Sequence, residues 1–307
     1  MKPELFVDLA GLRLKNPVVT ASGTFGFGIE YARVVDLAAL GAVVLKTVTL
    51  KPRQGNPPPR LAETPAGMLN SIGLENPGVE AVAQDILPEL KRRGVKVIAS
   101  VAGETIGEYA TVAERLAAAG ADALELNLSC PNVGRGGLHF GSDPETAAAV
   151  TRAVRQVAGN LPVFVKLGVM GADVVKVATA VAAAGASGVS LINTLPGLAV
   201  DWRRCRPILG NITGGLSGPA IKPVALWAVW RVYAATRLPI IGMGGIMSAA
   251  DALEFIVCGA TAVAAGTGNF VNPRLTVELV EGLNRLLAAE GVVDVKELIG
   301  AAHRRSG

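Results

Sequence analysis

Four kinds of residue in this chain could carry chemistry, and their positions are informative. The first is a thiol. Cys130 lies in the Gly- and Pro-rich segment that begins Ser129-Cys130-Pro131-Asn132, where it can act as a base or nucleophile if its surroundings stabilise the thiolate. Cys205, among Arg203, Arg204 and Arg206, is the rival thiol; Cys258 stands in an apolar segment and reads as a small core residue. His139 reads either as a proton shuttle beside Cys130 or as an ordinary loop histidine. The second kind is cationic. Lys46 and Lys166 each end an apolar run, where an ammonium must meet an anion or bear the cost of desolvation. Either lysine alone could belong to a structural ion pair; together they favour a bound anion. The third kind is the neutral amides Asn70, Asn127 and Asn193, each able to cap a turn, and suited as a set to a ligand with imide or amide edges. The fourth is glycine. Gly242-Met243-Gly244-Gly245 and Gly266-Thr267-Gly268 would let backbone N–H groups approach a phosphate, unless they serve only as tight turns.

What positions these groups is a repeated unit. Eight short apolar runs occur at residues 17–21, 42–46, 97–101, 123–127, 162–166, 188–192, 239–242 and 262–265. They lack polar alternation, as strands buried on both faces do. Helix-like stretches follow the runs, among them 106–119, 144–158, 172–184, 219–235, 249–257 and 273–288. Asp143-Pro144 and Ser248 read as helix starts; Gly94, Gly120, Gly185 and Gly259 read as helix stops. Strand then helix, eight times over, predicts a (β/α)8 barrel in preference to an open doubly wound sheet, with the whole of 1–307 as one domain. In such a barrel the active site lies at the C-terminal ends of the strands. Ser22, Lys46, Ser100, Asn127, Lys166, Asn193, Gly244 and Gly266 all fall at or just past the ends of runs, so the polar groups gather at one mouth. Residues 47–76 and 200–215 are too long for plain connections and read as functional insertions at that mouth.

Composition narrows the class. Half of the 307 residues are hydrophobic, enough for a large core, and the net charge of +4 is spread along the chain. No basic stripe interleaved with aromatics suggests nucleic acid. The three cysteines show neither metal-site nor disulfide spacing, which predicts no metal and fits a reducing, cytoplasmic setting. No apolar stretch is long enough to span a membrane, and the N-terminus reads as free of a signal core.

Six motifs carry a family resemblance: ASGTFGFG (21–28), NSIGLENPG (70–78), NLSCPNV (127–133), INTLPG (192–197), GGLSGPAIKP (214–223) and GMGGI (242–246). Together they resemble class 1 dihydroorotate dehydrogenases, and most closely the 1B type, over about residues 5–285. The resemblance implies oxidation of dihydroorotate to orotate with FMN. It implies that Cys130 takes the C5 proton while the C6 hydride passes to the flavin. Lys46, Asn70, Ser71, Ile72, Gly73, Leu74, Asn127, Asn193 and Thr194 would hold the pyrimidine and its carboxylate. Ser22, Lys46, Thr47, Ser100, Asn127, Lys166, Ile192, Gly218, Gly244, Gly245, Gly266 and Thr267 would hold FMN. Gly134, Gly136, Gly137 and Gly141 permit large backbone changes, so the loop 130–140 is expected to cover the bound pyrimidine and to move during turnover. Two departures stand out: Ser100 replaces the family's usual Asn, and Gly168-Val169-Met170 replaces Ser-Pro-Asn.

The 1B resemblance further implies a homodimer core joined to an electron-transfer subunit that carries FAD and an iron–sulfur cluster, a heterotetramer that delivers electrons to NAD. The chain's three cysteines are too few for a four-thiolate cluster of its own. The alternatives are a fumarate-using 1A-type enzyme, another flavin-dependent dihydropyrimidine oxidoreductase, or a silent scaffold subunit. Retention of Cys130 and both lysines argues against the last.

Overall fold

The computed structural model describes residues 2–128, 141 and 143–304. Eight strands form its centre: β1 Val18–Thr20, β2 Val43–Val44, β3 Val97–Val101, β4 Ala123–Asn127, β5 Val163–Leu167, β6 Gly188–Leu191, β7 Ile240–Met243 and β8 Ala262–Ala265. Each pairs in parallel with the next in sequence from β2 to β8, and β8 pairs with β1. The last seam closes differently. Val19 and Ala42 form a single parallel bridge, and Thr20 Oγ1 accepts from Val44 N at 2.9 Å in place of a regular ladder bond. The result is the expected (β/α)8 barrel. Runs 97–101, 123–127 and 262–265 coincide with β3, β4 and β8, while the other ends move by one or two residues.

Every residue of the eight strands is buried, because helices cover one face and the barrel interior the other. The interior is packed rather than hollow: a Cβ on Gly188 would stand 2.9 Å from the Phe164 ring, so glycine on β6 makes room for the aromatic on β5.

The helices start where their capping residues predict. Asp143 accepts from Thr146 N ahead of Pro144–Val157, and Ser248 accepts from Asp251 N ahead of Ala249–Cys258. Gly259, at φ 122°, ends the latter helix where any Cβ would strike the Tyr233 ring. One expectation fails. No α-helix follows β1; the link to β2 holds only the 3-10 turns Ile29–Arg33 and Leu37–Ala39. Gly23, Gly26 and Gly28 adopt positive φ there, so the segment turns repeatedly before a helix can nucleate. The stretch expected as a helix from 219 opens with a 3-10 turn, Pro219–Ile221, before Lys222–Thr236.

The two insertions form one structure. Leu61–Thr64, Gly67–Asn70, Thr213–Ser217 and Leu195–Leu198 make a four-stranded antiparallel sheet in the order Leu195–Leu198, Thr213–Ser217, Gly67–Asn70, Leu61–Thr64. The pairing of Gly215 with Asn70 ties the connection after β2 to the connection after β6. No helix among the described residues is long and apolar enough to cross a membrane.

Candidate active site

The C-terminal ends of the barrel strands, with the insertion sheet beside them, surround a cavity of about 330 Å³. That lies in the range of small-molecule and cofactor sites. Its walls divide into two chemically distinct ends.

The first end is backbone. Gly218, Gly244, Gly245, Gly266 and Thr267 line it. Side chains are excluded there by contact: a Cβ on Gly245 would lie 2.8 Å from Lys222 Cβ and 2.9 Å from Gly218 O. Gly245 also adopts φ 82°, a conformation that L side chains rarely take. Thr267 Oγ1 meets Ser217 Oγ at 2.7 Å, joining the β8 end to the insertion sheet. An ion pair supports this cradle from behind. Lys222 Nζ contacts Asp251 at 2.5 Å and Glu254 at 2.9 Å. Asp251 in turn accepts from Met247 N and Ser248 Oγ, just past the Gly244-Gly245 turn. Hydrogen bonds to Asp251 and then Glu254 push the Lys222 ammonium above its usual value. Burial pushes the Asp251 carboxyl up, but the Lys222, Met247 and Ser248 hydrogen bonds outweigh it and hold the group below its usual range. Glycines of this kind at the ends of β7 and β8 suit a phosphate.

The second end is built of side chains from β2, β4, β5 and β6. Lys166, only 5% exposed, donates to Ser22 Oγ at 3.0 Å across the mouth. Lys46 Nζ lies 3.8 Å from Glu75, whose other partner is Arg60 at 2.9 Å, so the carboxylate is shared and Lys46 keeps its face on the cavity. Asn127 Nδ2 donates to Thr47 Oγ1 at 3.1 Å, and Thr47 meets Ser100 Oγ at 3.0 Å. Asn127 Oδ1 is buried without a hydrogen-bond partner among the described residues, an acceptor held ready for a ligand donor. Asn193 and Thr194 follow β6, placed by Asn193 N donating to Leu167 O at 3.0 Å. Asn70, Ile72, Gly73 and Leu74 reach the same cavity from the insertion, and Ile192 adds an apolar wall.

Two expected residues stand apart, and a third is not described. Ser71 is buried but turned into its own loop, where its hydroxyl accepts from Asn56 Nδ2 at 3.1 Å. Ser100 is fully buried beneath Thr47 and does not line the cavity. Cys130 lies outside the described residues, as do His139 and the whole of 130–140. The rival thiol, Cys205, is exposed on a hairpin and is not among the cavity residues. Burial raises the Cys258 thiol above its usual value, in keeping with a packing role. Met170, in the departing loop after β5, is exposed and off the cavity. Sequence reasoning missed Leu61, Met68, Ser217 and Phe270, which also line the site. Only long-range pairing brings the first three there. Phe270 lies two residues past Gly266-Thr267-Gly268 and could have been found by extending that motif.

Residues 4–287 match the family model described as dihydroorotate dehydrogenase. The chain is 58% identical to the dihydroorotate dehydrogenase B (NAD(+)), catalytic subunit, of Desulforudis audaxviator, with all of both chains covered. It is 55% identical to the protein of that name from Desulforamulus reducens, over 99% of this chain and 100% of the relative. It is 53% identical to that from Bacillus pumilus, over 96% of each. On this evidence the chain belongs to the dihydroorotate dehydrogenase family.

Proposed function

We propose that this chain is the catalytic chain of an NAD-linked dihydroorotate dehydrogenase. It oxidises (S)-dihydroorotate to orotate in the cytoplasm, a step in making UMP. The observation that carries this reading is the joining, in one cavity, of a glycine cradle to a wall bearing Lys46, Lys166 and three asparagines. The cavity fits FMN on its own terms: the cradle's glycines line it beside the ends of β7 and β8, which suits a phosphate, and Lys166 and Asn127 offer a cation and an open acceptor.

Ser22, Lys46, Thr47, Asn127, Lys166, Ile192, Gly218, Gly244, Gly245, Gly266 and Thr267 would hold the cofactor, with Ser100 acting through Thr47. FMN, when bound, supplies the hydride acceptor. Lys46 would take the substrate carboxylate, and Asn70, Asn127, Asn193 and Thr194, with the 72–74 backbone, would take the ring edges. Cys130 would remove the C5 proton. Electrons would reach NAD through a partner subunit carrying FAD and an iron–sulfur cluster, around a dimer of this chain. The relatives' name, catalytic subunit, supports a partner.

Anaerobic addition of dihydroorotate to the purified yellow chain tests the reading. Bleaching of the flavin, with NAD reduction only after the partner is added, is the expected result. No bleaching, rapid NAD reduction by this chain alone, or fumarate use at full rate without a partner overturns it.

A further inference from the structure

One ionisable side chain inside the barrel has no part in the site described above. Glu125 lies in β4, fully buried, two residues before Asn127 and so on the same inward face. Its register neighbours are Ser100 on β3 and Phe164 on β5. Its Oε2 accepts from Ser190 Oγ at 2.7 Å. Ser190 belongs to β6, so the carboxylate reaches across the inner face of β5. Lys166, on that strand, is in register with both Asn127 and Ser190. The carboxylate therefore sits directly below the level from which Lys166 and Asn127 enter the cavity. Its Oε1 has no hydrogen-bond partner among the described residues.

A buried carboxylate with one oxygen unsatisfied is costly, and an apolar side chain would fill the same space at no such cost. What it supplies is a field. Lys46 and Lys166 line the cavity and favour negative charge there; Glu125 opposes it from beneath, through an interior of low dielectric where charges act over several ångströms. We infer that Glu125 is a tuning residue that touches neither cofactor nor substrate. It limits how strongly the cavity favours the reduced, more negative flavin, so that electrons can leave again. This inference rests on the flavin reading above.

The experiment measures the flavin midpoint potential of holoprotein carrying Glu125→Gln, which keeps the shape and can still accept from Ser190. The ratio of reduced to oxidised flavin affinity should rise on the order of tenfold, about 30 mV more positive for a two-electron couple, with flavin content and Tm close to wild type. Ser190→Ala keeps the charge and removes the hydrogen bond, and should leave the potential near wild type. An unmoved or more negative potential in Glu125→Gln, or an equal shift in Ser190→Ala, overturns the inference. Should Glu125→Gln fail to fold, the wild-type infrared difference spectrum between oxidised and reduced states decides. A carboxylate band insensitive to deuterium exchange is expected, and its absence overturns the inference. A wild-type chain that binds no flavin would instead sink the flavin reading itself, before any variant is compared.

Discussion

The two ends of the cavity recognise by different means. At β7 and β8 the wall includes bare glycine backbone, and what matters at Gly244 and Gly245 is that no side chain is present. At β2, β4, β5 and β6 the wall is side chains, and what matters is which polar atom each presents. A change at the first end should therefore act through shape, on whether the cofactor binds at all. A change at the second should act through charge or hydrogen bonding, on what happens to a ligand already bound. The sharpest test of that division is at Cys130, the thiol proposed to take the substrate proton. Cys130→Ser should bind FMN and orotate almost normally yet reduce flavin ~10²–10⁴-fold more slowly, because a hydroxyl is a far weaker acid than a thiol. Stopped-flow reduction by dihydroorotate at pH 7 measures it. A near-normal rate would remove Cys130 from the chemistry.

Gly245→Ala should show the opposite pattern. The added Cβ meets Lys222 Cβ and Gly218 O within 3 Å, at a φ of 82°. Strain of about 1–3 kcal/mol corresponds to roughly 5- to 150-fold weaker FMN binding, since each ~1.4 kcal/mol is tenfold. Titration of apoprotein by flavin fluorescence should show this loss. The FMN that does bind should be reduced at close to the wild-type rate. A variant with full affinity and slow reduction would break the division.

The barrel and most of the site could be read in the sequence because both follow local rules. A buried parallel strand is a short apolar run, and this fold places its chemistry where such runs end, so Lys46, Asn127, Lys166 and Gly244 could be located one unit at a time. What escaped depends on contacts between distant segments. Met68 and Ser217 face the same cavity because Gly67–Asn70 pairs with Thr213–Ser217, and nothing local in either insertion announces that partnership. Ser71 shows the converse. It lies inside a motif whose other members reach the cavity, yet its hydroxyl satisfies Asn56, a loop-internal hydrogen bond that motif membership does not reveal.

Ser100 gives a smaller and finer test. Among the described residues, its hydroxyl reaches the site only through Thr47, which in turn accepts from Asn127. Ser100→Ala removes one such link, about 1 kcal/mol net, so ligand affinity should fall about fivefold with the reduction rate nearly kept. Orotate and FMN titrations measure it. A loss beyond a hundredfold would mean that Ser100 meets the ligand directly and that the buried chain through Thr47 is not its route.

The smallest effect concerns the support behind the glycine cradle. Lys222 pairs with Asp251 and Glu254, and Asp251 accepts from Met247 N and Ser248 Oγ in the segment that follows Gly244-Gly245. Lys222→Met should lower Tm by roughly 2 °C, the scale of one partly screened ion pair in a large domain. Its pH dependence is the discriminating part. The Lys222 value is raised on folding, so its contribution is complete below the unfolded lysine value of 10.5 and is lost as pH rises through the folded value. Asp251 is held below its usual 3.8, so its share is complete above that value and is lost as pH falls through the folded one. The Tm gap between wild type and variant should therefore be flat from roughly pH 5 to 9 and close at both extremes. Because the pair steadies the cradle rather than touching ligand, FMN affinity should weaken only slightly within the flat range. A Tm gap that varies across neutral pH, or a large loss of FMN with no loss of Tm, would place Lys222 at the ligand instead of behind it.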